Sequence, residues 1–189
     1  KRACRTAHLL DLASVSVNVS SLQLQRPDFA RRVLDILTDI GLPPSRLEIE
    51  VTERALLDVT SAGARTLRAL RNAGVHVALD DFGTGQSALG ALMKLEVDRI
   101  KIDTVLVRSL GEIAQSGSIA EAMVRMAHAV GIAVTAEGVE TSEQLALLTR
   151  IGADHLQGHL LSPPISAARL SDLIRSANTT ASDVAREVA

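Results

Sequence analysis

Aromatic side chains are almost missing from this chain: among 189 residues two are Phe and none is Trp or Tyr. An aromatic core is therefore excluded, and Leu, Val, Ile and Ala must supply the 47% hydrophobic fraction. Cysteine is nearly missing too. With Cys4 alone, an intrachain disulfide is impossible and a reducing compartment is unremarkable. No uninterrupted apolar run reaches the roughly 18 to 20 residues of a membrane span, and there is no signal-peptide pattern. Charge excess is also lacking. The formal net charge is -2, so there is no basic footprint and long nucleic acid is not an expected partner. A small anionic ligand would need a local metal or a few placed cations. These absences lead to an expectation of a cytoplasmic location, compatible with a membrane anchor elsewhere in a parent protein. Lys1 stands where an initiator Met would be, so the chain reads as a piece of a longer one.

What is present is a regular alternation of short strands and helices. Ser14 to Ser20 alternates strictly between Val and polar residues, which is a strand signal. Asp28 to Ile40 reads as a helix with Phe29, Val33, Leu34, Ile36, Leu37 and Ile40 on one face, stopped by Gly41. Further strands are expected at Leu47 to Val51, Val75 to Asp80, Asp98 to Ile102, Ile132 to Glu137 and His155 to Gln157. Helices are expected at Ser61 to Ala73, Ser87 to Lys94, Ser118 to Val130, Ser142 to Ile151 and Ser166 to Ala177. Six strand–helix units of this kind imply a parallel sheet. An open doubly wound sheet and a closed (β/α)8 barrel both fit that count.

The polar residues favour the barrel. Asn18, Glu50, Asp80, Lys101, Glu137 and Gln157 each fall at or near the C-terminal end of a different expected strand. A barrel gathers all such ends at one mouth, whereas an open sheet gathers only those at its switch point. The expected fold is thus an α/β (β/α)8 TIM-like barrel with about six units present, lacking units at its N-terminal end. The expected domain spans residues 1–177, followed by a tail over 178–189.

Asp80 and Asp81 are adjacent carboxylates followed by Phe82-Gly83-Thr84-Gly85. Alone, this hexapeptide is as readily an Asp/Gly turn as a metal site. With Asn18 and Glu50 it makes an all-oxygen donor set suited to Mg²⁺ or Mn²⁺, unlike a zinc site built on Cys or His. The five histidines read as surface or packing residues. Lys101 lies between Ile100 and Ile102, so its charge requires an anionic partner, either inside a carboxylate-lined barrel or in Asp103 on the rim. Carboxylates and a lysine around a divalent cation suggest activated water with an acid/base helper. Gly83, Gly85 and Gly90 lack dinucleotide-fingerprint spacing and better suit a loop over the mouth.

Asp80-Asp81-Phe82-Gly83-Thr84-Gly85 resembles the DDFGTG signature of EAL domains, the cyclic di-GMP phosphodiesterases. Val17-Asn18-Val19-Ser20 with Gln23-Leu24 resembles that family's VNLS..QL, and Glu48 to Glu53 its LEIT-E segment. Lys101-Ile102-Asp103 is similar to its KID motif, Ala136 to Thr141 to AEGVET, and Gln157-Gly158 with Pro164 to its QG....P ending. The resemblance implies hydrolysis of cyclic di-GMP to linear pGpG with two metals, Mg²⁺ or Mn²⁺. It implies that Asn18, Glu50 and Asp80 hold the first metal and that Asp80 and Asp81 serve the second. Lys101 and Glu137 would orient and deprotonate the water, and Gln157 would line the ligand pocket. Glu53, Thr84, Asp103 and Glu140 would support the loops. A homodimer and an adjacent GGDEF or sensor domain are implied as partners.

The chain departs from the family in three places. The Glu-Ala-Leu motif is absent and would lie upstream of Lys1. Gln86 stands where Tyr is usual, and His159-Leu160-Leu161 where aromatics are usual. These departures keep open an inactive receptor or scaffold that binds cyclic di-GMP without cleaving it. A metal-dependent barrel enzyme of the enolase type is a third, more distant reading, against which the Asp80-Asp81 pair and the Gln157-Gly158 segment argue.

Overall fold

A computed structural model describes residues 1–52, 55, 61–83 and 97–174. The expected helix Ser87 to Lys94, the tail over 178–189, and Glu53, Thr84, Gly85, Gln86 and Gly90 lie outside the described residues.

The chain begins with α1 (Arg2–Leu9), β1 (Val15–Asn18), α2 (Ser21–Leu24) and α3 (Phe29–Ile40). A 3-10 turn (Pro44–Arg46) leads into β2 (Leu47–Thr52), followed by α4 (Ser61–Asn72) and β3 (His76–Phe82). Then come β4 (Arg99–Ile102), α5 (Thr104–Arg108), α6 (Ala114–Ala129), β5 (Ala133–Glu137), α7 (Ser142–Ile151) and β6 (His155–Gln157). Residues 167–174 are also helical.

Local chemistry explains these boundaries. Gly41 closes α3 with a left-handed φ of 76°, a conformation that costs a side-chain-bearing residue energy but glycine nothing. Ser20 and Gln23 form a capping box on α2, and Thr141 and Gln144 form another on α7. Each box satisfies two backbone donors at a helix start. Asp103 caps α5, its Oδ1 accepting from the Val105 amide at 2.7 Å.

The six strands among the described residues are all parallel and lie in the order β1-β2-β3-β4-β5-β6. That order separates the two architectures. A doubly wound sheet reverses its strand order at a switch point. Right-handed crossovers between strictly consecutive parallel strands instead place every helix on the same face. The result is a curved, helix-jacketed sheet of the TIM-barrel kind, with its outer face turned to the helices and, among the described residues, its polar side chains on the other, inner face.

The two faces differ in chemistry because strand side chains alternate with a period of two. Ile49, Val51, Val77, Leu79, Ile100, Ile102, Val134 and Ala136 are all buried and belong to one aliphatic core with Leu37, Leu67, Leu70, Val107, Val124 and Leu148. Each fully buried Leu or Ile of this kind contributes about 1.5 to 3 kcal/mol. The alternate residues of the same strands are Glu48, Glu50, Ala78, Asp80, Arg99, Lys101 and Thr135. The core therefore sits between sheet and helices, and the inner face is polar.

Two charged ties anchor the strand starts. Asp98, just before β4, accepts from the Val77 amide at 2.8 Å and from Arg71 Nη2 of α4 at 2.8 Å. Asp154, just before β6, accepts from the Val134 amide at 2.7 Å and pairs with His128 Nε2 at 2.9 Å. Asp154 is held below the usual carboxylate range: burial opposes the shift, and the His128 contact and the Val134 amide outweigh it.

Candidate active site

Strand register brings the sequence-selected residues together. Asn18 and Glu50 are direct neighbours on β1 and β2, Thr52 pairs with Asp80, and Glu137 pairs with Gln157. At the centre is Lys101, whose side chain is 7% exposed. Its Nζ contacts Glu137 Oε1 at 2.6 Å, Glu50 Oε1 at 2.9 Å and Asp80 Oδ1 at 3.3 Å. The anionic partner expected for Lys101 is thus three carboxylates from three other strands. Asp103 instead caps α5.

The electrostatics follow from that ratio of one ammonium to three carboxylates. Burial favours neutral Lys101, but hydrogen bonds to Glu137 and Glu50 outweigh it and hold the ammonium well above its ordinary range. Glu137 moves the other way. Burial pushes its carboxyl up, Lys101 pulls it down, and neighbouring Asp80 and Glu50 push it up again, for a net rise. A buried cluster with unbalanced negative charge is costly and has a built-in demand for further cations.

The Asp80-Asp81 pair differs from its sequence reading in one respect. The strand does not stop at Asp80 but continues to Phe82. Within it Asp81 adopts a left-handed φ of 55°, and the pairing with β4 shifts register between Leu79 and Phe82. Asp is one of the few residues that tolerates this conformation, and such bulges re-aim side chains next to functional sites. The Asp81 amide donates to Asp80 Oδ1 at 3.1 Å. Burial pushes the Asp81 carboxyl up, as do Asp80 and Asp103, while Lys101 opposes them.

Other residues fall outside this cluster. Glu140 pairs with Arg108 of α5, with Nη2 at 2.7 Å and Nε at 3.2 Å from the same oxygen. Gln157 is exposed at the end of β6, where its carbonyl accepts from the Val139 amide at 3.0 Å. Among the described residues, no group of three His, Cys, Asp or Glu side chains stands as a ready-made metal cage. Glu50, Asp80 and Glu137 close on the Lys101 ammonium instead. The donor set still fits hard divalent cations, being all oxygen, negatively charged and already gathered around a cation.

Gly158 fixes the loop after this cluster. A β-carbon there would collide with the backbone of Val139, which lies directly against it. Leu160 N also donates to Val139 O at 3.0 Å. Gly158→Ala is expected to force the loops after β5 and β6 apart and to cost about 1 to 3 kcal/mol. Thermal denaturation measures this.

Sequence reasoning missed the polar row beneath the cluster. Ser16 Oγ donates to Glu48 Oε1 at 2.8 Å, Arg99 Nε donates to Glu48 Oε2 at 2.7 Å, and Arg99 Nη1 donates to Thr135 Oγ1 at 3.3 Å. The period-two alternation of Glu48/Glu50 and Arg99/Lys101 was the available signal.

A charged mouth on a parallel β/α sheet defines a protein of the TIM-barrel kind, and comparison with known proteins gives the family. The EAL domain family matches residues 1–164. The chain belongs to the EAL domain family. It is 36% identical over 181 residues to the cyclic di-GMP phosphodiesterase NbdA of Pseudomonas aeruginosa, covering 93% of this chain and 23% of that one. The EAL domain of Mycobacterium smegmatis DcpA superposes with a TM-score of 0.86 at 35% identity, covering 93% of this chain and 81% of that one. Klebsiella pneumoniae BlrP1, solved as a manganese and cyclic di-GMP complex, superposes with a TM-score of 0.81 at 36% identity, covering 86% and 42%. The chain spans about a fifth of the length of the curated relatives it matches. Among the described residues no helix is long and apolar enough to cross a membrane.

Proposed function

We propose that this chain is the catalytic portion of a metal-dependent phosphodiesterase that hydrolyses cyclic di-GMP to linear pGpG. The observation that carries the reading is the buried cluster at the sheet mouth, in which Glu50, Asp80 and Glu137 share the single ammonium of Lys101. Such an arrangement serves a reaction in which cations and an anionic phosphodiester meet. NbdA is named a cyclic di-GMP phosphodiesterase, and the BlrP1 complex holds manganese and cyclic di-GMP, which supports the same ligand class here.

In this reading Asn18, Glu50 and Asp80 would hold one divalent ion, Mg²⁺ or Mn²⁺, and Asp80 and Asp81 would hold the second. When bound, the ions polarise the phosphodiester and lower the pKa of water. Glu137, whose carboxyl sits above its ordinary range, takes the proton of the attacking water. Lys101 keeps the three carboxylates gathered and orients that water. Gln157 contacts the ligand from β6. Glu53 and Thr84 support the loop after β3, Asp103 fixes the start of α5, and Glu140 ties the loop after β5 to Arg108.

The domain runs over residues 1–177, with 178–189 as a tail. It works as a homodimer in a cytoplasmic setting, beside a GGDEF or sensor domain in the parent protein. Incubating the full-length parent with Mg²⁺ or Mn²⁺ and cyclic di-GMP tests the activity by the appearance of pGpG. Binding without pGpG would favour the receptor reading, for which Gln86 and the aliphatic Leu160-Leu161 speak.

Asp81→Asn removes the charge and keeps a side chain that tolerates the left-handed backbone. Turnover is expected to fall by about tenfold or more, with a stability change under about 1 kcal/mol. Steady-state kinetics and denaturant titration of the same preparation check both halves.

A further inference from the structure

The row of side chains beneath the mouth is ordered in relation to the site above it. Ser16, Glu48, Arg99 and Thr135 form one hydrogen-bonded chain. Each stands two residues before a residue of the proposed site: Asn18, Glu50, Lys101 and Glu137. Strand side chains two apart share a face, so every link of the lower row lies directly under one member of the upper row. The central link is long. Arg99 of β4 reaches Glu48 of β2 across β3, at Ala78, which is in register with both Glu50 and Arg99. Ala78 is fully buried, and its single methyl leaves the guanidinium room to pass. The Glu48 side chain is 10% exposed and that of Arg99 23%, so the bond is shielded from solvent. Glu48 has both its oxygens engaged, by Ser16 and by Arg99.

We infer that Arg99 is a positioning residue for the proposed reaction: through Glu48 and Thr135 it fixes the lateral spacing of β2, β4 and β5, and so the meeting of Glu50, Lys101 and Glu137. This rests on the phosphodiesterase reading. Three strands whose side chains must converge within hydrogen-bond distance of one ammonium need their separation set from below. A planar, always charged guanidinium with a short bond to a buried carboxylate provides a stiff spacer. A displacement of the order of 1 Å at a reacting group is enough to cost about 100-fold in rate. If the ion pair merely held the fold together, removing it would lower the melting temperature and leave turnover of the folded protein intact.

The test uses the full-length parent protein with Mg²⁺ or Mn²⁺ and cyclic di-GMP. Arg99→Met is expected to lower kcat by about 10- to 100-fold, with KM and the dissociation constant for cyclic di-GMP changed less than about threefold. Arg99→Lys, which can still reach Glu48 with a charge, is expected to recover most of the loss. Should Arg99→Met fail to fold, the double variant Glu48→Gln, Arg99→Met leaves neither charge buried without its partner and is held to the same thresholds. A folded variant with kcat within about twofold of wild type overturns the inference, as does Arg99→Lys recovering nothing. Wild-type turnover with an unaffected Arg99→Met rejects the inference alone. A wild type that forms no pGpG rejects the phosphodiesterase reading and the inference with it.

Discussion

In the Lys101→Met variant the metal-free protein is expected to lose about 3 to 5 kcal/mol of unfolding free energy, the usual cost of stranding buried partner charges. Lys101 contacts Glu50, Asp80 and Glu137 at 2.9, 3.3 and 2.6 Å. Methionine keeps most of the volume and removes the only cation these contacts share. The three carboxylates then repel one another in a site from which water is largely excluded, and their protonation becomes the cheapest relief. Stability of the variant should therefore rise as pH is lowered toward the carboxylate range, opposite to ordinary acid destabilisation. Mg²⁺ or Mn²⁺ should restore part of the loss, because an ion that binds only the folded state stabilises it by mass action. Urea titrations at several pH values, with and without the ion, measure all three effects. Turnover should fall sharply in the same variant.

Glu137→Gln should separate activity from stability. The substitution removes the proposed base, and kcat is expected to fall by about 10²- to 10⁴-fold. Cyclic di-GMP binding should persist, since the side chain keeps its shape. The sign of the stability change follows from the raised carboxyl. An acid whose folded pKa lies above its unfolded value binds more protons in the folded state between the two, so the stability it contributes is present at low pH and is lost as pH rises through its folded pKa. At pH 8 ionised Glu137 therefore costs the fold energy, and glutamine removes that cost while retaining an oxygen for Lys101. The expected variant is inactive with a melting temperature at or above that of the wild type, the usual pattern when a site is strained for function. The metal-free wild type should lose stability as pH rises through the raised Glu137 range, above where an ordinary glutamate titrates. Kinetic assays, and melting curves over a pH series, report activity and stability.

Much of this was legible in the chain because strand alternation is a strong local signal. Ser14 to Ser20 alternates by eye, and the strands at residues 47–51, 98–102 and 155–157 fall within a residue or so of the observed ones. The polar strand ends were legible for the same reason, and Glu50, Asp80, Lys101 and Glu137 do converge. The α2 helix was missed although Ser20-x-x-Gln23 is a capping-box signature, because four residues give no 3.6 periodicity. The α6 helix starts at Ala114 rather than Ser118, and no side-chain cap marks its start.

Tertiary features were out of reach. The left-handed Asp81 exists because β3 shifts register against β4, and register is a property of two strands. The Arg99–Glu48 bond crosses an intervening strand and depends on the small side chain of Ala78. Glu140 reads as a motif carboxylate in sequence, yet it is paired with Arg108, 32 positions away.

The carboxylate cluster around Lys101 is proposed as a site of phosphodiester hydrolysis. The most direct measurement is chromatographic detection of pGpG after the full-length parent protein is incubated with cyclic di-GMP and Mg²⁺ or Mn²⁺, beside the same protein carrying Glu137→Gln. Formation of pGpG by the wild type, its loss in the variant and retained ligand binding in both are the predicted results. Bound but uncleaved cyclic di-GMP in the wild type, or undiminished cleavage in the variant, would contradict it.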